Sequence, residues 1–316
     1  MRTMAVVRVG FATFWLTALA LAPVDAQLGK LTEISLADNL TASQAGGGGG
    51  PEAVASDGTY IWVAEQFADS VTRLDRLTGL PLGTFAVGKR PVALLAVGLT
   101  LWVANLESDT LTKLRTSDGA VLGTFRVGDG SGGLAFDGVN LWVAQRTGNT
   151  VSQVSLDGAV LATFRTGRRP LNLTYDGVNI WVVNNLENTV IKLRPSDGAI
   201  VGRIRTGNGP FGILYDGAAI WVTNFFSRTV MKVRPGDGAL LGTFSVGDGA
   251  AGLAADGGSI WVANNGSSTV TRLDRATGAV IGTYASGPGP FGIAFDGQNM
   301  WVANFAGSSI STTLSR

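Results

Sequence analysis

The chain has 316 residues, 24 Lys and Arg against 23 Asp and Glu, 45 Gly, and neither Cys nor His. Without those two residue types there is no disulfide, no thiolate or imidazole metal ligand, and no Cys-His or Ser-His-Asp nucleophile. A channel metal would have to be a hard cation such as Ca2+ or Mg2+ on carboxylates and carbonyls, and the near-neutral balance offers no field for nucleic acid.

Residues 1–26 read as a secretory signal peptide. Arg2 and Arg8 flank the apolar run "GFATFWLTALALAPV", and a small-residue site follows at Val24-Asp25-Ala26. The run is shorter than the roughly 20 apolar residues that span a bilayer, so cleavage is expected. Cleavage removes Arg2, Arg8 and Asp25, which leaves the mature chain formally neutral. The expected product is exported, periplasmic or secreted, with no membrane span.

Residues 27–50 hold a strand-like stretch, "KLTEISL" from Lys30 to Leu36, and a Gly-rich linker in "ASQAGGGGGP". From residue 51 to 316 the text repeats. Trp62, Trp102, Trp142, Trp181, Trp221, Trp261 and Trp301 are spaced by 40, 40, 39, 40, 40 and 40 residues. A period near 40 with one Trp per unit indicates an array of small sheets. The unit from Gly252 shows four β-like runs, "GLAAD", "SIWVAN", "TVTRLD" and "AVIGTY", joined by tight turns at Asp256-Gly257 and Thr277-Gly278.

The run "IWVA" is apolar on both faces, so each sheet must be covered on both sides. Blades stacked around an axis satisfy that requirement. The spacing predicts an all-β, seven-bladed β-propeller of four-stranded antiparallel blades. Gly212, Gly252 and Gly292 suit the crowded strand nearest the axis, and the seven Trp form the core. The last unit stops at Arg316 without a fourth strand, so the Lys30–Leu36 stretch is expected to complete it and close the ring.

"WVTN" at Trp221–Asn224 and its relatives "WVAN" and "WVVN" resemble the repeats of bacterial YVTN-type β-propellers. The longer phrase "FDGxxIWVANxxxxTVTRL" is similar to repeats of NHL-like propellers and virginiamycin B (streptogramin) lyases. The resemblance covers residues 51–316 and implies the propeller fold; related repeats serve in lyases, extracellular binding proteins and surface-layer proteins. The lyases carry "WFTE" where this chain has Trp62-Val63-Ala64-Glu65, and the resemblance implies a His general base with a divalent metal. This chain has no His to receive that role.

The two rims differ. One carries near-identical Asp-Gly turns, with "SDG" or "TG" at the other hairpin and a neighbouring Arg that suggests local ion pairs. That rim reads as structural. Arg73, Lys113, Lys192, Lys232 and Arg272 recur in the third strand and read as a solvated strand face. The opposite rim varies from copy to copy, and function favours loops held on a rigid scaffold.

Three successive fourth strands end in Arg126, Arg165 and Arg205, near Lys89, Arg90, Arg168 and Arg169 in the blade links. This basic sector is the candidate site for an acidic envelope protein or anionic glycan. Phe67, Phe225, Phe226 and Phe305 stand in otherwise polar loops, as partner anchors or as plugs of the channel mouth. Asn105, Asn184, Asn224, Asn264 and Asn304, with Glu65 and Gln145, form an amide ring that is expected to bond the adjacent turns. If that ring instead faces the funnel, Glu65 and Asn172 would give it polar or cation-binding character. The reading is a non-enzymatic, monomeric binding propeller with no assigned catalytic residue or cofactor. The alternatives are a channel-mouth lyase or hydrolase and a structural surface-layer component.

Overall fold

The computed structural model describes residues 31–35 and 49–313; residues 1–26, expected as a signal peptide, and most of the Gly-rich stretch lie outside the described residues. Seven four-stranded antiparallel sheets form the blades, each in sequence order from the channel outwards except the last. Blade 6 is representative, with strands Ala250–Ala255, Ser259–Asn264, Thr269–Asp274 and Val280–Ala285. In blade 7, Thr32–Ser35 supplies the outer strand and pairs antiparallel with Ser309–Thr312, Thr32 opposite Thr312 and Ser35 opposite Ser309. The beginning of the chain therefore closes its end, as the missing strand required. Among the described residues no helix is long and apolar enough to cross a membrane.

Packing explains the period. Each Trp lies on a second strand, is buried, and faces the next blade. Trp62 packs with Leu101, Val103 and Leu114 of blade 2, and Trp301 with Ile61, Val63 and Leu74 of blade 1. A buried indole N–H needs an acceptor. The repeated turn Asp supplies it: Trp142 Nε1 donates to Asp137 Oδ2 at 2.8 Å, and Trp62, Trp181, Trp221, Trp261 and Trp301 do likewise to the Asp five residues earlier. Blade 2 has Val97 in place of that Asp, and Trp102 Nε1 is left without a hydrogen-bond partner among the described residues.

The third-strand cations are not a solvated face. Lys232 Nζ sits 5.0 Å from the Trp221 ring centre and donates to the carbonyls of Arg275 and Ala276 in the next blade, both at 2.8 Å. Arg73, Lys113 and Lys192 make the same reach, to Ser117, Leu156 and Pro235. Their charges are half-buried over the indoles and tie each outer turn to its neighbour. The "SDG" turns and the "GDG" turn after Arg234 do carry the expected ion pairs, Arg115–Asp118, Arg194–Asp197 and Arg234–Asp237, all well exposed and individually worth little. In a "TG" blade the Arg behaves differently, and Arg275 reaches back to Asp216 of the preceding blade at 3.0 Å.

Near the axis the glycines are required. A Cβ on Gly212, Gly252 or Gly292 would collide with the carbonyl oxygen of Ala251, Phe291 or Glu52 in the following blade. The first strands also share a register shift just after their opening residue, between Pro51 and Ala53, Pro170 and Leu173, Pro210 and Ile213, and Pro290 and Ile293. Such bulges re-aim side chains, and here the residues inside them, Glu52, Asn172, Phe211 and Phe291, line the channel.

Candidate functional site

The variable rim is built by one repeated connection. The carbonyl of a link residue accepts from the first residue after the second strand: Gly50 from Gln66, Arg90 from Leu106, Arg169 from Asn185, Gly209 from Phe225, Gly289 from Phe305. The link residue holds a left-handed backbone in every blade, with φ from 56° to 75° at Gly50, Arg90, Gly130, Arg169, Gly209, Gly249 and Gly289. Five of these seven are Gly, which takes that conformation without penalty. Arg90 and Arg169 accept a cost of roughly 1–2 kcal/mol each instead. They are pinned by N–H bonds at 2.8 Å to Asp69 Oδ1 and Asn149 Oδ1 of the preceding blade.

Those two arginines and Arg168 line a hollow of about 620 Å³ together with Arg146, which the sequence reading did not single out. Glu107 and Asp109 also line it, so the hollow has a formal excess of two positive charges. Arg90 is paired with Glu107 at 3.3 Å. The remaining sequence candidates lie elsewhere. Lys89 is exposed beside the hollow, Arg126 stands on the outer wall between Asp109 and Asp129 at 3.5 Å, and Arg205 ends an outer strand in solvent. Arg165 lines a smaller groove with Arg168 and Glu187.

Arg146 follows Gln145 at the end of a second strand. Its side chain lies against Gly132, whose missing Cβ leaves the space. It reaches Glu52 at 3.6 Å, a contact in which both side chains are largely buried. Burial pushes the Glu52 carboxyl above the usual carboxylate range, against the pull of Arg146 and Arg90. Nε of Arg146 and Nε of Arg90 are buried without a hydrogen-bond partner among the described residues. The signal in the sequence was a lone Arg in "QRTGNT", where the other copies have Gln, Leu, Asn or Phe.

Arg146 also lines the channel throat below, a cavity of about 200 Å³ shared with Glu52, Asn172, Phe211 and Phe291. Asn172 Nδ2 is engaged with the Phe211 carbonyl at 3.0 Å. From Phe211 and Phe291, 4.9 Å apart, an aromatic arc climbs to the rim. Phe291 meets Phe305 at 6.1 Å, Phe305 meets Phe67 at 5.5 Å, Phe211 meets Phe225 at 6.4 Å, and Phe225 meets Phe226 at 5.2 Å. All four sequence-derived Phe join this arc; Phe211 and Phe291 were hidden in the repeated "GPFG" links. Phe67 and Phe226 remain 65% and 72% exposed, so the outer arc does not plug the mouth.

The amide ring turns away from the funnel. Asn105, Asn184, Asn224, Asn264 and Asn304 are wholly buried within the blades. Asn264 Nδ2, for example, donates to Thr269 and Thr271 hydroxyls at 3.1 and 2.9 Å rather than to turn backbone. Gln145 Nε2 donates to the Ser152 hydroxyl and to the Val127 carbonyl of the link, and its Oε1 accepts from Thr150. Asn184 Oδ1 accepts from the link Gly167 N–H at 3.1 Å, so these two do bond adjacent backbone as expected. Glu65 is the exception: it is 1% exposed, neither carboxylate oxygen has a partner among the described residues, and burial lifts its pKa to about 7. Among the described residues no three Asp or Glu side chains are grouped to hold a metal.

No family model matches the chain, and no curated relative matches it. Solved structures do. The chain is similar to hydrazine synthase of Kuenenia stuttgartiensis at 19% identity and a TM-score of 0.75, covering 84% of this chain and 95% of that one. A streptogramin B lyase aligns at 18% identity and TM-score 0.75, over 89% of this chain and 96% of its own. A catalytically inactive His-to-Ala variant of virginiamycin B lyase from Staphylococcus aureus, solved with quinupristin, aligns at 18% and 0.75, over 90% and 98%. At these identities the likeness is one of architecture, and the chain has the fold of the virginiamycin B lyase-like seven-bladed β-propellers.

Proposed function

We propose that the chain is an exported binding propeller whose variable rim holds an acidic partner, an envelope protein or an anionic glycan, over the mouth of the channel. The observation that carries this reading is the placement of Arg90 and Arg169. Both occupy left-handed positions that five of seven links give to Gly, and both aim at one hollow with Arg146 and Arg168. The fold is satisfied by Gly at that position, so the strain at the two arginines has its return outside the fold. Four guanidinium groups around one hollow suit carboxylate, sulfate or phosphate oxygens. A channel-mouth lyase reading finds no His; of the two carboxyls that burial raises, Glu65 is buried under Gly49 and Glu52 is held by Arg146.

The test is calorimetric titration of the purified protein with two defined polyanions, poly-glutamate and a heparin-derived oligosaccharide, at low and high salt. Substituting Arg90→Gly, Arg168→Ala and Arg169→Gly together should weaken binding at least about tenfold, since each lost charge-assisted bond contributes about 1.5–3 kcal/mol. Substituting Arg126→Ala and Arg205→Ala on the outer wall should leave it nearly unchanged. Absence of binding, or equal loss in both variants, refutes the reading.

A further inference from the structure

Resting on the binding reading, we infer that the mouth is a two-part site that selects an acidic peptide segment with an aromatic anchor, and so a protein partner rather than a glycan. The two parts share a residue. Arg146 lines both the basic hollow of about 620 Å³ and the throat of about 200 Å³ whose opposite wall is Phe211 and Phe291. A ligand seated across the mouth thus meets guanidinium groups from blades 2, 3 and 4 and phenyl rings from blades 5, 7 and 1.

Each part by itself is unsatisfied. The aromatic arc is a contiguous apolar surface whose outer members, Phe67 and Phe226, are left largely in water. Contiguous exposed apolar surface rimmed by polar groups marks an interaction site, and buried aromatic pockets are where partner anchors lodge. In the other half, Arg168 and Arg169 are exposed on the hollow with no carboxylate partner for their guanidinium groups among the described residues, while Arg90 and Arg146 are held by Glu107 and Glu52. A ligand that is only anionic leaves the arc wet. A ligand that is only apolar buries Arg168 and Arg169 beside it without a carboxylate, at a cost of several kcal/mol.

A partner must therefore carry several acid groups and a large apolar group along one extended chain. A peptide segment does so with Asp, Glu and an aromatic side chain. A glycan brings carboxylates or sulfates but no group to fill the throat. The link backbones support the same division: a Cβ on Gly50 would meet the Phe67 ring and one on Gly209 the Phe226 ring, whereas Arg90 and Arg169 fill the equivalent position on the basic side. One link position thus holds a ring over Gly on one half of the mouth and a cation on the other.

The experiment titrates the purified protein with a short synthetic peptide carrying one Trp flanked by Asp and Glu. Controls are the same peptide with Trp→Ala, the same peptide with every Asp and Glu amidated, and the heparin-derived oligosaccharide. The anchored acidic peptide should bind about tenfold or more tighter than each control. Phe291→Ala should cost the Trp peptide affinity and leave the Trp→Ala peptide unchanged; Arg169→Gly should weaken both acidic peptides alike. Matching thermal melts exclude misfolding, and Phe305→Ala repeats the test if Phe291→Ala melts early. If the oligosaccharide or the Trp→Ala peptide binds as well as the anchored peptide, the two-part inference fails and the anion site stands. If nothing binds, both fail.

Discussion

Replacing Glu65 by Gln isolates one buried carboxyl. Five equivalent positions hold Asn and one holds Gln145, and each of these six is hydrogen-bonded, within its blade or, for Asn184, to the link N–H of Gly167. Glu65 is 1% exposed, and burial alone raises its pKa from 4.5 to about 7. Below pH 4.5 the carboxyl is neutral in the folded and unfolded chain, and it costs nothing. Between 4.5 and 7 the folded chain keeps a proton that the unfolded chain has released, so stability falls as pH rises. Above 7 the folded chain carries the charge and the full penalty. With 1.36 kcal/mol per unit of difference, that penalty is about 3 kcal/mol.

Glu65→Gln is isosteric, cannot ionise, and resembles the Gln of blade 3. It should therefore unfold like the parent at pH 4 and be about 3 kcal/mol more stable at pH 8. Urea denaturation at pH 4, 6 and 8 measures the difference; with a slope of roughly 3 kcal/mol/M, the midpoint at pH 8 should rise by about 1 M. Parallel profiles for the two proteins, or a Gln variant weaker at pH 8, would refute the argument. Either result would mean that the carboxylate has a partner cation or donor.

Arg169→Gly relieves a left-handed Arg and keeps its N–H bond to Asn149. Chemical denaturation should show it unchanged or up to about 1 kcal/mol more stable, while anion binding weakens. Val97→Asp restores the acceptor that blade 2 lacks for Trp102 Nε1, and a gain of about 1 kcal/mol in the same assay is expected. A loss would show that Trp102 is satisfied or that the turn cannot hold the Asp. Lys232→Met keeps the stem over Trp221 but removes the bonds to Arg275 and Ala276, at a cost of about 2 kcal/mol; an unchanged unfolding midpoint would return these cations to the role of a solvated face.

The reach of the sequence can be judged from single residues. Trp142 was legible as core because its strand is apolar on both faces and recurs with the period. The partner of its N–H, Asp137, stood five residues away and was read only as a turn former. Lys232 was misread because its acceptors lie in the next blade, where the neighbour in space is a full repeat away in sequence. Asn264 was legible as structural, although its partners proved to be third-strand hydroxyls. Arg146 was missed because what distinguishes it is the space left by Gly132 and the Glu52 across the channel.

Within the site the division is the same. Blade number, strand order and ring closure follow from a repeated local pattern, since each unit must bury two faces and only a closed ring of seven such units does so without an exposed end. The composition of the mouth does not follow from that pattern. Phe67, Phe211, Phe225, Phe226, Phe291 and Phe305 come from three blades, and Arg90, Arg146, Arg168 and Arg169 from links and loops of three others. They meet because the bulges turn first-strand side chains inwards and the links curl over the channel. Those are properties of the closed ring, so only the tertiary structure could bring an aromatic half and a cationic half to face each other.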